Sequence, residues 1–267
     1  MKRLAITALA VAAWAAAASA QDKAAALKDL APTGKLRVAI AVSPAPSALY
    51  AIKDASGQYR GVAVDLGAGL AKKLGVPLEL VPYLASGEIT EAAGQGVWDV
   101  TFMPYDAERA KHVDFGAAYH LLQSTYLVAP NSSAQTLAEV DRPGMRIAGV
   151  ANTATARAAA ASLKTATVIA AKGVDEAVEF VREGKADAIG LSRESLTGLV
   201  AKLPGSRILD GGFLNSVTAV AVPKGRPAAL AYASAFVEDE KAAGNVRRSF
   251  DAVGLTTSMV APAGMRP

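Results

Sequence analysis

From Lys35 almost to its end, the chain alternates short apolar runs of strand length with segments whose apolar residues recur at helical spacing. A chain of this kind buries its strands between layers of helices, so the expected fold class is α/β, with a mostly parallel sheet covered on both faces. The strand candidates are Lys35 to Val42, Leu78 to Pro82, Trp98 to Met103, Gly144 to Val150, Ala166 to Ala171, Ala186 to Leu191 and Val217 to Val222, with Ser206 to Leu209 also extended. The first helix candidate is Val64 to Leu74. Val64, Leu66, Leu70 and Leu74 share one face, and Gly75-Val76-Pro77 ends it. Further helices are expected at Glu88 to Gly94, Ala154 to Leu163, Val174 to Glu183, Leu196 to Leu203, Pro227 to Glu240 and Val246 to Val253. Asp54-Ala55-Ser56-Gly57 carries turn chemistry. No fixed-period repeat is visible.

The N-terminus has a different composition. Met1-Lys2-Arg3 is positive, Leu4 to Ala18 is uncharged, and Ala18-Ser19-Ala20 presents small residues before polar Gln21-Asp22. This is the secretory signal pattern, with cleavage expected after Ala20. The uncharged stretch is too short for a hydrocarbon core of ~30 Å. The chain has no cysteine, which excludes disulfides, thiol catalysis and cysteine metal sites. Gln21 cannot carry a lipid, so the expected product is free in the periplasm and monomeric. Loss of Lys2 and Arg3 lowers the formal charge from +4 to +2, a balance that does not suggest a nucleic-acid partner. His112 and His120 stand at no recognised metal spacing with any acid, and no metal or cofactor is expected.

Three stretches resemble one known family. The first is Gly57-Gln-Tyr-Arg-Gly-Val-Ala-Val-Asp-Leu66, followed by Ala71-Lys-Lys-Leu-Gly-Val76. The second is Trp98-Asp99-Val100, then Glu108-Arg-Ala-Lys-His-Val-Asp-Phe115, Tyr119 and Tyr126-Leu-Val128. The third is Glu183-Gly-Lys-Ala-Asp-Ala188. Together they are similar to the bacterial family 3 extracellular solute-binding proteins, the amino-acid-type receptors of ABC importers. The second stretch is the most specific, and the likeness runs from about residue 35 to residue 255.

The resemblance implies a two-lobed periplasmic binding protein fold (type II), with two crossovers and a ligand cleft between the lobes. Lobe 1 would hold residues 21–128 and 218–267, and lobe 2 residues 129–217. The crossovers would lie near Leu127 to Pro130 and Val217 to Ala221. The expected partners are a small-molecule ligand, carboxylate or amino-acid-like, and an ABC transporter permease in the inner membrane.

The same resemblance singles out the candidate ligand residues. Arg109 stands where the family's carboxylate-binding arginine stands, and a guanidinium fork suits a carboxylate. Its alternative is a surface arginine paired with Asp106 or Glu108. The loop before it is shorter than the family form and reads Met103-Pro104-Tyr105-Asp106. Pro104 has no N–H to offer a ligand. Asp106 would either bind a ligand ammonium or hydroxyl, or neutralise Arg109.

Asn152, Thr153 and Thr155 open a helix, where free N–H groups suit an anion and where plain capping is the alternative. Ser192 takes the place of the aspartate with which the family's amino-acid receptors hold an ammonium. Glu194, Asp106 or Glu88 would then supply that charge, or the ligand has no α-ammonium. Arg193 either favours a second acidic group or faces solvent. Ser47 and Ser86 replace expected aromatic walls. Tyr50, Tyr83, Tyr105 and Tyr119 are nearby aromatics, and Asn215 is a further possible donor.

Two functions compete. The first is a transport receptor for a small organic acid or modified amino acid. The second is an enzyme on the same fold, resembling periplasmic cyclohexadienyl dehydratases, with Glu88 or Asp106 as its acid/base group. No nucleophile–base pair or metal motif is evident, which favours the receptor. A sensory input module would normally be joined to a membrane segment and a signalling domain. Expression in a bacterium with an intact export pathway should yield a chain starting at Gln21. An intact mass that retains Met1 to Ala20, or a lipid-modified product in the membrane fraction, would refute this.

Overall fold

The computed structural model describes residues 21–42 and 47–267. The expected signal segment, and Ser43 to Pro46 of the loop after the first strand, lie outside the described residues. Residues 21–30 form helix α1, which buries Ala26 and Leu30. Strand β1 (Leu36–Ala41) follows, then a small hairpin of β2 (Ile52–Lys53) and β3 (Tyr59–Arg60). Asp54 closes that hairpin by accepting the Ser56 and Gln58 N–H groups. Next come α2 (Val62–Leu74), β4 (Leu78–Tyr83), α3 (Ser86–Glu91), β5 (Val100–Pro104) and the 16-residue strand β6 (Val113–Val128).

A short helix α4 (Leu137–Val140) leads into β7 (Arg146–Val150), α5 (Ala154–Ser162), β8 (Thr167–Ala171), α6 (Val174–Arg182), β9 (Ala188–Ser192) and α7 (Arg193–Leu199). The chain closes with β10 (Arg207–Ile208), β11 (Leu214–Pro223), α8 (Pro227–Ala242), α9 (Asn245–Ala252) and β12 (Met259–Val260).

The strands follow the order β4-β1-β5-β11-β6-β9-β7-β8. The expectation of a mostly parallel sheet needs correction. Two parallel trios, β4-β1-β5 and β9-β7-β8, are joined through β11 and β6, which run antiparallel to each other and to their outer neighbours. Of the residues expected at the crossovers, Leu127 and Val128 end β6, Ala129 and Pro130 lie just beyond it, and Val217 to Ala221 lie within β11. One apolar core, with Leu36, Leu70, Phe102, Phe236 and Phe250, packs around the first trio. Two smaller clusters, with Ile189 and Leu196 in one and Ile147 and Val140 in the other, pack around the second.

Element edges also moved. Helix α2 starts at Val62 behind Gly61, whose φ of 147° and closeness to the Tyr50 carbonyl leave no room for a side chain. Helix α3 stops at Glu91, and a 3-10 turn at Ala93–Gln95 takes over. Helix α7 starts at Arg193 rather than Leu196, because the Ser192 hydroxyl accepts the Ser195 N–H and caps it there.

Each parallel trio is fastened by the same ion pair. Asp99, just before β5, accepts the Arg37 backbone N–H at 3.1 Å and its Nε and Nη2 at 2.9 and 2.7 Å. Asp187, just before β9, accepts the Arg146 backbone N–H at 2.9 Å and its Nε and Nη2 at 3.1 and 3.0 Å. The Asp99 side chain is fully buried and also meets Arg226 at 3.4 Å, whereas Asp187 and Arg146 are partly exposed. Asp99→Ala should therefore cost about 3–5 kcal/mol by leaving buried donors unpaired, and Asp187→Ala about 1 kcal/mol. Urea unfolding curves of the two variants at matched slope would measure both, and equal losses would refute the assignment.

Candidate functional site

Open α/β sheets leave a crevice at the carboxyl ends of their parallel strands. Here both trios point those ends at one small cavity of about 80 Å³. Ala41 at the end of β1, Leu84 to Ser86 after β4 and Pro104 at the end of β5 line it from one side. Val150 at the end of β7, Thr153 to Thr155 beyond it, Gly173 after β8 and Leu191-Ser192 at the end of β9 line it from the other.

Arg109 is the charged group of that wall. It opens a 3-10 turn after β5 and is only 1% exposed. Its Nη1 donates to the Pro104 carbonyl at 2.8 Å and its Nη2 to the Ser86 hydroxyl at 2.7 Å. Its Nε lies 3.6 Å from Asp106 Oδ2 and has no hydrogen-bond partner among the described residues. Burial lowers the Arg109 pKa to about 10, against the attraction of Asp106, so the group stays cationic at neutral pH. Pro104, expected only to remove an N–H, thus contributes its carbonyl.

On the other side, α5 begins at the cavity. Thr153 caps it, accepting the Ala156 N–H at 3.2 Å and donating to the Val150 carbonyl at 2.7 Å, while its hydroxyl meets that of Thr155 at 3.1 Å. The opening N–H groups of such a helix have no partner within it and carry partial positive charge. Capping and an electropositive cavity wall coexist at this helix start.

The ten residues singled out from the sequence fall into three sets. Ser47, Ser86, Arg109, Thr153, Thr155 and Ser192 line the cavity. Tyr105 and Asp106 line a neighbouring, more open groove of about 590 Å³, together with Arg157 and Asn215. Asn152 and Glu88 line neither. Asn152 adopts a left-handed backbone (φ 58°) and reaches across to donate to Glu91 at 2.9 Å. Beside it, Gly87 packs so closely under Asn152 that an added Cβ would come within 2.7 Å.

The acids offered as ammonium hosts are engaged elsewhere. Glu88 accepts the Leu84 N–H at 2.9 Å. Asp106 accepts the Arg109 N–H at 3.0 Å and pairs with Arg157 of α5. Glu194 meets His120 Nε2 at 3.0 Å and Ser258 at 3.3 Å. His120 itself is fully buried, with Thr218 on its other nitrogen at 3.3 Å. Arg193 turns to Gln123 and to the Leu209 and Gly211 carbonyls. Among the described residues no carboxylate and no imidazole lines the cavity.

Sequence reasoning passed over Leu122 of β6, the start of α6 at Gly173-Val174, and Ser195. Gly173-Val174 was discoverable, since it follows β8 as Asn152-Thr153 follows β7. Tyr50, named only as a nearby aromatic, lines the cavity, and burial raises its pKa above the phenol range.

The profile of the bacterial extracellular solute-binding proteins, family 3, matches residues 36–252. No match emerges among curated proteins. Among solved structures, a solute receptor for L-cysteine of Neisseria gonorrhoeae superposes with a TM-score of 0.76 at 20% identity, covering 86% of this chain and 93% of that one. A mutant of ArgBP from T. maritima gives a TM-score of 0.74 at 22% identity, covering 85% and 98%. The ancestral amino acid-binding protein AncCDT-1, described as a precursor of cyclohexadienyl dehydratase, gives 0.73 at 27% identity, covering 85% and 98%. These likenesses match the two-lobed type II fold.

Glu194 sets a pH dependence. Its burial acts to raise its pKa, but the hydrogen bond and charge of His120 outweigh that and lower it below the model-compound value of 4.5. A carboxylate with a lowered folded pKa gives stability that is complete above its unfolded pKa and is lost as pH falls through the folded value. Wild-type protein should therefore lose stability below about pH 4.5 more steeply than Glu194→Gln. Urea midpoints measured between about pH 3 and 6 would test this, and identical slopes would refute it.

Proposed function

The chain belongs to the bacterial extracellular solute-binding proteins, family 3, and on that premise we propose that it captures a small organic acid or amino-acid-like metabolite in the periplasm and delivers it to the permease of an ABC importer. Residues 21–128 and 218–267 form lobe 1 in this reading, and residues 129–217 lobe 2. The separate apolar cores around the two strand trios support that division.

The observation that carries the reading is the cavity between the trios, with buried Arg109 on one wall and the start of α5 on the other. Both groups favour an anion, and the cavity is reached through strand ends rather than sealed in a core. The contacts from Asn152 to Glu91 and from Arg157 to Asp106 bridge the two walls, as closure over a ligand requires.

The enzyme alternative needs an acid/base group in the cavity. Its two candidates, Glu88 and Asp106, are held by the Leu84 N–H and by Arg109 and Arg157. That arrangement favours capture over turnover.

Arg109→Ala should weaken binding by about 2–5 kcal/mol, the usual effect of losing one partner of a buried charged contact. Native mass spectrometry of gently purified protein identifies the retained small molecule, and calorimetry with that compound gives the loss. Arg109→Lys keeps the charge without the fork and should fall between the two. Unchanged affinity in both variants, with circular dichroism intact, would remove Arg109 from the site and with it this reading.

A further inference from the structure

We infer that the ligand is a small monocarboxylate whose α-carbon carries no ammonium group: an oxo, hydroxy or plain aliphatic acid with a compact apolar body. The inference rests on reading the cavity as the ligand site.

The cavity wall is rich in donors. Arg109 is cationic and buried, with Nε unpartnered among the described residues. The buried Ser47 hydroxyl is also unpartnered among them. Across the cavity, Thr153 takes the Ala156 N–H, and its carbonyl takes that of Arg157. The first N–H groups of α5, at Ala154 and Thr155, have no acceptor within the helix. A carboxylate between Arg109 and α5 would satisfy both walls.

The same wall is poor in acceptors. An ammonium brings three donors and a charge, and burying it unpaired is costly. Four acids of the surrounding elements each have an oxygen engaged, Glu88 by the Leu84 N–H, Glu91 by Asn152, Asp106 by Arg109 and Arg157, and Glu194 by His120. The second Glu194 oxygen, Oε2, is unpartnered among the described residues, but Glu194 lines a different pocket, with Gln123 and Arg193. Ser192, at the end of β9, donates to the Ser195 hydroxyl and accepts the Ser195 N–H. What remains for an ammonium is neutral hydroxyl oxygen beside a guanidinium that repels it.

Size and walls narrow the class. A volume of 80 Å³ holds on the order of five to eight water-sized units, at roughly 10–15 Å³ each. Leu84, Leu122, Val150, Val174 and Leu191 make much of the lining apolar. That suits a short aliphatic acid.

The test uses matched pairs of equal skeleton: pyruvate and L-alanine, 3-methyl-2-oxobutanoate and L-valine, 4-methyl-2-oxopentanoate and L-leucine. L-arginine and L-cysteine serve as controls. Calorimetry on the mature protein should give at least one oxo acid bound about tenfold or more tightly than its amino-acid mate. Ser192→Asp should reverse that preference, because aspartate can keep the cap on α7 while adding an acceptor charge to the wall. An L-amino acid that binds as tightly as its oxo partner overturns the inference and leaves the receptor reading in place. A native protein that retains a molecule without a carboxylate, with no acid of the panel binding, overturns both.

Discussion

A guanidinium removed from water is the constraint around which this molecule is arranged. Burying a charge is expensive unless its donors are met, and Arg109 is almost fully enclosed. Its partners come from separate parts of the chain: the Pro104 carbonyl ends β5, the Ser86 hydroxyl starts α3, and Asp106 lies between. Each of these positions depends on where a parallel strand stops. Asp106 is in turn held by Arg157 from α5, on the far wall. The cation therefore ties the ends of one strand trio to the first helix of the other. One of its nitrogens, Nε, is still without a hydrogen bond among the described residues and lies 3.6 Å from Asp106.

Local periodicity made most elements legible. Leu66, Leu70 and Leu74 placed α2, and all three are buried as their spacing required. Pairing across long distances was not legible in the same way. β6 runs over sixteen residues with its burial set by four different neighbours, β11, β9, β10 and β12, so its apolar pattern is neither alternating nor continuous. The mixed sheet follows from β6 and β11 pairing antiparallel, a contact between segments about a hundred residues apart. The fastening of each trio by an arginine–aspartate pair is likewise invisible as a repeat. Arg37 and Asp99, and Arg146 and Asp187, share geometry while the intervening sequences differ in length.

Most of the small polar candidates line the cavity while the candidate acids do not, and local hydrogen bonding is the physical reason. A carboxylate near the end of a strand or the start of a helix faces backbone N–H groups that need an acceptor. Glu88 takes the Leu84 N–H four residues back, as a capping side chain does, and Asp106 takes the Arg109 N–H three residues on. In each case a local backbone N–H engages one of the carboxylate oxygens. Ser192 shows the same competition, being both a cavity residue and the cap of α7.

The two walls also touch each other outside the cavity, and those contacts determine how binding relates to shape. Asn152 holds a left-handed backbone to reach Glu91, and it does so over Gly87, where a larger residue would collide. Arg157 reaches Asp106 from the second turn of α5. These contacts exist only while the walls are together, and both lie within a few residues of the N–H groups that open α5. Under the proposed function, a ligand seated between Arg109 and α5 would draw together the same two walls that these contacts join. Its differential affinity for the joined arrangement is what shifts the population toward it. The partly exposed Arg157–Asp106 pair, worth little by itself, matters because it orients Asp106 toward Arg109. In the proposed reading, capture and closure would act on one set of charges, with Asp106 placed between the arginine of one wall and the arginine of the other.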